Sequence, residues 1–253
     1  MVYFVGAGSG APDLITLRGD RMLRQADVVI YAGSLVNPEL LAVVRPNCEI
    51  HNSANMTLEE IVAVMQLAEQ QQKSTVRLHT GDPSLYGAIG EQIAALDQLG
   101  IGWEVVPGVS SFLGAAAALG AEYTVPGGSQ TVILTRMQGR TAVPDAERIS
   151  ALAAHGASMA VFLSAAMLPA LQQELLAGGY AKDTPAALVY KATWPDEVLF
   201  RCQVETLAQT GKSGQITKTA LVLVGDFLEH TGGRSKLYDP AFFTGYRRAE
   251  ESE

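Results

Sequence analysis

Hydrophobic residues in the first half of the chain fall in short, nearly continuous runs, separated by stretches with helical spacing. Val2–Val5, Asp27–Tyr31, Thr75–His79 and Trp103–Val106 predict buried strands. Leu14–Gln25, Pro38–Val44, the segment from Thr57 to about Gln71, and Ile89–Leu99 predict helices between them. Thr57-Leu58-Glu59-Glu60 reads as a capping box, with the threonine hydroxyl taking the N3 amide and Glu60 reaching back. Apolar strands alternating with helices are the pattern of a parallel sheet covered on both faces.

The pattern changes in the second half. Thr131–Leu134, Met159–Leu163, Ala187–Tyr190 and Thr219–Val224 predict strands, and Val198–Val204 alternates like a half-exposed one. Ala146–Ala154 and Leu168–Ala177 predict helices. Strands following one another without helices between them point to some antiparallel pairing. The domain change is expected near residues 112–128, where a small-residue helix gives way to the turn Val125-Pro126-Gly127-Gly128. This gives an N-terminal α/β domain over 1–117 and a C-terminal α/β domain over 118–253. The tail Arg247–Glu253 is polar and expected to fray.

Composition narrows the class. The chain has 253 residues, is 48% hydrophobic and 17% charged, and carries a net charge of −8. It can build a core and lacks the broad basic surface of a nucleic-acid binder. Cys48 and Cys202 match no paired-ligand spacing, so no metal site is expected and a cytoplasmic location fits. No apolar run approaches the ~20 residues of a membrane span, and the N-terminus reads as a strand.

Three loops carry the candidate chemistry: Val5-Gly6-Ala7-Gly8-Ser9-Gly10-Ala11-Pro12-Asp13, Thr80-Gly81-Asp82-Pro83-Ser84-Leu85-Tyr86-Gly87 and Val106-Pro107-Gly108-Val109-Ser110-Ser111. Each follows a predicted strand, an arrangement that lines a cleft with backbone. The first satisfies G-x-G-x-x-G/A. A dinucleotide site also needs an acid at the end of the second strand, where Tyr31-Ala32-Gly33 stands, and Pro12 and Asp13 delay the helix. An NAD-dependent oxidoreductase is therefore disfavoured. No serine is flanked as G-x-S-x-G, and the four histidines are scattered. His155 and His230 are expected on the surface, and His51 is open. His79 ends a buried strand and is either a satisfied strand-end histidine or a substrate contact or proton-transfer group. Asp82 either caps its turn or receives a ligand hydroxyl, and the surrounding glycines favour the second.

The opening VGAGSGAPDLITLRG, the TGDPSLYG loop and the VPGVSS loop, in this order and spacing, resemble the tetrapyrrole methylases, which use S-adenosylmethionine. The resemblance extends through Tyr31–Val36, Asn55–Glu60, Arg77–Asp82 and Thr219–Gly225. It implies a bilobal fold with the active site in a cleft between two α/β domains, a homodimer, and methylation of a tetrapyrrole in cobalamin biosynthesis. Carried over by position, the cofactor would meet Thr80, Gly81, Asp82, Leu85, Ser110 and Ser111, and also Leu163, Ala192 and Ala220. The first loop, with Ser9 and Asp13, would face the tetrapyrrole. Arg18, Arg136 and Lys191 would partner its carboxylates, while Arg140 reads as a solvated charge. The chain departs from the family at Gly8-Ser9-Gly10-Ala11, where Gly-Pro-Gly-Asp is frequent. Ala32 and His79 replace the aspartate and lysine of uroporphyrinogen methylases, which favours a later corrin intermediate. Leu163 replaces a frequent methionine.

Overall fold

A computed structural model of the chain describes residues 1–229 and 233–247. His230 and most of the tail expected to fray lie outside the described residues. The chain forms two compact units, Met1–Ala115 with Lys191–Glu197, and Ala116–Tyr190 with Val198–Glu253.

The first unit contains β1 (Val2–Gly6), α1 (Leu17–Gln25), β2 (Val28–Tyr31), β3 (Glu49–Asn52), α2 (Leu58–Gln70), β4 (Thr75–His79), α3 (Ile89–Gln98), β5 (Trp103–Val106) and most of α4 (Ser111–Leu119). Its five strands form a parallel sheet in the order β3-β2-β4-β1-β5. Alternate residues serve opposite faces. Val5, Val29, Val76, Leu78 and Val106 pack with Leu23 of α1. Val2, Phe4, Val28 and Ile30 pack with Ile61 and Met65 of α2 and Leu96 of α3. Burial on both faces is why these strands read as unbroken apolar runs.

Three differences from the sequence expectation have local causes. Helix α1 starts at Leu17 instead of Leu14. Residues Pro12–Leu14 form a separate 3₁₀ turn, and the Thr16 side chain caps α1 by accepting the Gly19 N–H at 3.1 Å. Pro38–Val43 is 3₁₀ as well, capped by Asn37. Strand β3 (EIHN) escaped notice because it is an edge strand pairing only with β2, so nothing requires it to be apolar. The Thr57–Glu60 capping box forms in full.

The second unit contains β6 (Val132–Arg136), α5 (Ile149–Ala153), β7 (Ser158–Phe162), α6 (Leu168–Ala177), β8 (Pro185–Tyr190), β9 (Val198–Gln203), α7 (Leu207–Ser213) and β10 (Ala220–Val224). Its sheet order is β6-β7-β10-β8-β9, with β6 and β7 parallel and the remaining pairs antiparallel. The predicted helix over Ala146–Ala154 is shorter, because Asp145–Glu147 is a 3₁₀ turn. Helix α7 was not expected from its short, glycine-containing sequence. Gly211 permits it: a Cβ there would lie 2.0 Å from Leu168 Cδ1 of α6. Leu168, Leu171 and Leu175 of α6 and Leu207 of α7 cover Met159, Val161, Leu188, Val222 and Val224.

Candidate functional site

In a parallel sheet every strand delivers its following loop to the same edge. The connections leaving β1 and β4, which are neighbours, run in opposite directions, to β2 and β5, which makes that edge a topological switch point, where α/β sheets bind ligands. The three loops meet there backbone to backbone. The Ala7 N–H donates to the His79 carbonyl at 2.7 Å, and Gly8 and Gly81 exchange hydrogen bonds of 3.3 and 2.8 Å. A Cβ on Gly108 would lie 2.2 Å from the Gly81 carbonyl oxygen, and one on Gly6 2.6 Å from Gly108 Cα. Gly6 and Gly108 are needed for this close approach, whereas Gly81 is needed for its φ of +61°.

Asp82 ties the second loop to the third. Its Oδ2 accepts the Gly108 N–H at 2.8 Å, and its Oδ1 accepts the Ser84 N–H at 2.8 Å together with the Ser84 hydroxyl. Partial burial alone would raise its pKa. The hydrogen bonds from Ser84 and Gly108 outweigh that and hold the carboxyl below its usual value. Oδ1 thus caps its own turn, and Oδ2 tethers the third loop. Thr80 is exposed, Leu85 and Ser111 are partly exposed, and Ser110 is buried.

His79 is only 4% exposed, and its Nε2 has no hydrogen-bond partner among the described residues. Burial, assisted by the charge of Arg77, pushes its pKa down to about 3, so the ring is neutral at physiological pH. Such a group is a weak proton acceptor. Arg77, two residues earlier on the same face of β4, is also buried. It donates to Gln92 Oε1 and to the Ile30 carbonyl, both at 3.2 Å. His51 is half-buried, 2.8 Å from Glu49, and His155 is exposed.

The residues assigned to the tetrapyrrole fall in different settings. Ser9 is buried and shares a hydrogen bond of 3.1 Å with Thr193. Asp13 is exposed in the 3₁₀ turn after the first loop. Arg18 is exposed and 3.5 Å from Glu104. Lys191 pairs with Asp196 at 2.6 Å and lies 5.1 Å above the Trp194 ring centroid. In the second unit, Arg136 donates to the carbonyls of Met137, Thr141 and Ala142 at 3.2, 3.2 and 2.9 Å, and so braces the loop that follows β6. Arg140 is exposed.

At one end of the second sheet, β7 leads into Leu163 and β10 begins at Ala220, paired with Tyr190 of β8. Extending the Val222↔Val161 register by two residues places Ala220 opposite Leu163. Leu163 is 65% exposed, an apolar side chain left uncovered at a strand end. Backbone strain marks the same positions. Eight non-glycine residues among those described have positive φ. Gln72 and Gln215 follow helix ends, where left-handed residues are ordinary, and Ala88 precedes α3. The other five are Tyr86, Leu163, Lys191, Thr193 and Thr219. Each coincides with, or adjoins, a position assigned to the cofactor: Leu85, Leu163, Ala192 or Ala220. Strain of this kind persists where a site needs the geometry. Thr193 and Trp194, which pack on the first loop, were missed by sequence reasoning. They lie far from it along the chain and carry no motif.

A five-stranded parallel sheet with three touching glycine loops at its carboxyl edge, followed by a mixed-sheet unit, defines an α/β protein of two units. The sequence profile of the tetrapyrrole (corrin/porphyrin) methylases matches residues 1–208, and the chain belongs to this family. It is 50% identical over 251 residues to a cobalt-precorrin-4 C(11)-methyltransferase of Methanocaldococcus jannaschii, covering 99% of this chain and 97% of the relative. It is 46% identical over 232 residues to a precorrin-4 C(11)-methyltransferase of Mycobacterium tuberculosis, covering 91% and 92%. Among solved structures, a cobalt precorrin-4 methyltransferase superposes with a TM-score of 0.88 at 47% identity, covering 90% of this chain and 95% of that one. A uroporphyrin-III C-methyl transferase of Thermus thermophilus complexed with S-adenosylhomocysteine superposes with a TM-score of 0.77 at 28% identity, covering 90% and 99%.

Proposed function

We propose that this chain transfers the methyl group of S-adenosylmethionine to C11 of precorrin-4, giving precorrin-5 and S-adenosylhomocysteine in cobalamin biosynthesis. The observation that carries the reading is the identity to C(11)-methyltransferases along almost the whole chain. When bound, the cofactor supplies an electrophilic methyl on sulfonium. The attacking carbon is made electron-rich by the macrocycle, so the protein needs no activated nucleophile of its own.

The residues present suit such a group. Thr80, Gly81, Asp82, Leu85, Ser110 and Ser111 in the first unit offer backbone, hydroxyl and apolar contacts without a thiol or amine that would compete for the methyl. Ala192 adds a small buried side chain. In the second unit, Leu163 offers an uncovered apolar side chain and Ala220 a half-buried one. The work left to the chain is alignment and exclusion of water. Asp82 holds two loops in register for this, and Arg136 holds the loop after β6. Neutral His79 suits a hydrogen bond to a ligand better than removal of a proton. Ser9, Asp13, Arg18 and Lys191 remain the proposed contacts to the substrate. The reading carries with it a homodimer in the cytoplasm, and sedimentation velocity tests the dimer.

A second reading, methylation of cobalt-precorrin-4, is favoured by the 50% identity to an enzyme of that name. Calorimetric titration with S-adenosylhomocysteine and, in parallel, NAD tests the cofactor class: micromolar binding of the first and none of the second is expected. Incubation with S-adenosylmethionine and either the metal-free or the cobalt-bearing macrocycle, read by mass spectrometry and NMR of the product, decides between the two substrates.

A further inference from the structure

Lys191–Glu197 joins β8 to β9, yet it belongs to the first unit, where it packs on the first glycine loop. Thr193 Oγ1 accepts the Ala11 N–H at 3.0 Å and shares the hydrogen bond with Ser9 Oγ, while its own N–H donates to Glu197 at 2.6 Å. Asn37 Nδ2 donates to the Gly10 carbonyl at 2.9 Å. The packing leaves no spare room. A Cβ on Gly10 would lie 2.1 Å from Trp194 Cδ1, and one on Gly114 of α4 would lie 2.7 Å from Ser9 Oγ and 3.2 Å from Thr193 Cγ2. The Ser9 hydroxyl, the Gly10 carbonyl and the Ala11 N–H of the first loop are therefore engaged within the protein. Thr193 makes these contacts from φ +67°, a conformation a β-branched residue rarely adopts. The residue before it, Ala192, is flanked on both sides by left-handed backbone.

We infer that Thr193 is a positioning residue for methyl transfer. Its hydroxyl fixes the first loop to the segment carrying Ala192, so the loop that faces the macrocycle and a cofactor contact are placed as one piece. The inference rests on the methyltransferase reading and goes beyond it, since Thr193 need touch neither ligand.

Thr193→Val keeps the shape and the branch and removes the hydroxyl. Thr193→Ser keeps the hydroxyl. In Thr193→Val, kcat is expected to fall about tenfold or more, as misplacement without loss of binding does. The dissociation constant for S-adenosylhomocysteine should stay within about threefold of wild type, a change too small to explain the lost rate. Thr193→Ser should recover most of kcat. Hydrogen exchange at the Ala11 amide should quicken in the valine variant and not in the serine one. Wild-type kcat in Thr193→Val overturns the inference. So does a parallel loss of kcat, cofactor affinity and melting temperature that serine fails to repair, which marks a merely structural role. If the wild-type protein neither binds S-adenosylhomocysteine nor transfers a methyl group, the proposed activity fails and the positioning role falls with it. The Ala11 exchange rates then still report whether Thr193 holds the loop.

Discussion

His79 and Asp82 lie three residues apart, and their ionisation makes stability respond to pH in different ranges. The folded-state pKa of His79 is depressed to about 3 from an ordinary value of 6.5. As pH falls below 6.5, the unfolded chain takes up a proton that the folded chain refuses. Stability is therefore full above that value and declines toward pH 3, by about 1.4 kcal/mol per pH unit. Between pH 6.5 and 5 the expected loss is about 2 kcal/mol. Urea midpoints measured across this range should show that slope in wild type, and His79→Gln should flatten it. An equal slope in both proteins would assign the effect elsewhere. The carboxyl of Asp82 is shifted below its usual value, so its contribution is lost only below about pH 4. At neutral pH, Asp82→Ala leaves the Gly108 and Ser84 amides without their acceptor. S-adenosylhomocysteine binding should weaken by more than about tenfold, roughly 1.4 kcal/mol. A wild-type dissociation constant in calorimetry would remove the second loop from the cofactor site.

Among the elements, the glycine contacts between the loops after β1, β4 and β5 decide whether the edge of the first sheet closes up. Gly108→Ala drives a methyl group into the Gly81 carbonyl and Gly6 Cα, both rigid backbone atoms. The expected cost is on the order of 2–4 kcal/mol, read as a fall in the urea midpoint. Gly90→Ala is the control, because nothing lies within 4 Å of a Cβ there. In the second unit, the Arg136 guanidinium spans three carbonyls of the loop after β6. Arg136→Ala frees that loop, and steady-state kinetics should show a raised KM for the tetrapyrrole with little change in cofactor affinity. An unchanged KM would separate this loop from substrate binding.

For the whole molecule, a ligand that binds only the folded chain stabilises it by mass action. S-adenosylhomocysteine at a hundredfold excess over its dissociation constant should add about 2.7 kcal/mol. For a chain of this size, that corresponds to a rise of about 5–10 °C in melting temperature. NAD should give none. A shift with NAD and none with the homocysteine compound would return the first loop to a dinucleotide site.

The sequence by itself determined the strands buried on both faces, because such strands must be apolar at every position. It also determined the capping box of α2, whose partners lie three residues apart, and the glycine loops, whose composition reports close backbone approach. It disclosed less where an element is held by distant contacts. The edge strand β3 has no apolar requirement, and α7 depends on Gly211 meeting Leu168. The family was legible because motifs in fixed order survive in one dimension. The company each side chain keeps was not. Asp82 gives one oxygen to the third loop, 26 positions on, and Ser9 meets a threonine 184 positions away. Those pairings join residues that only the folded chain brings together, and the tertiary structure alone decided them.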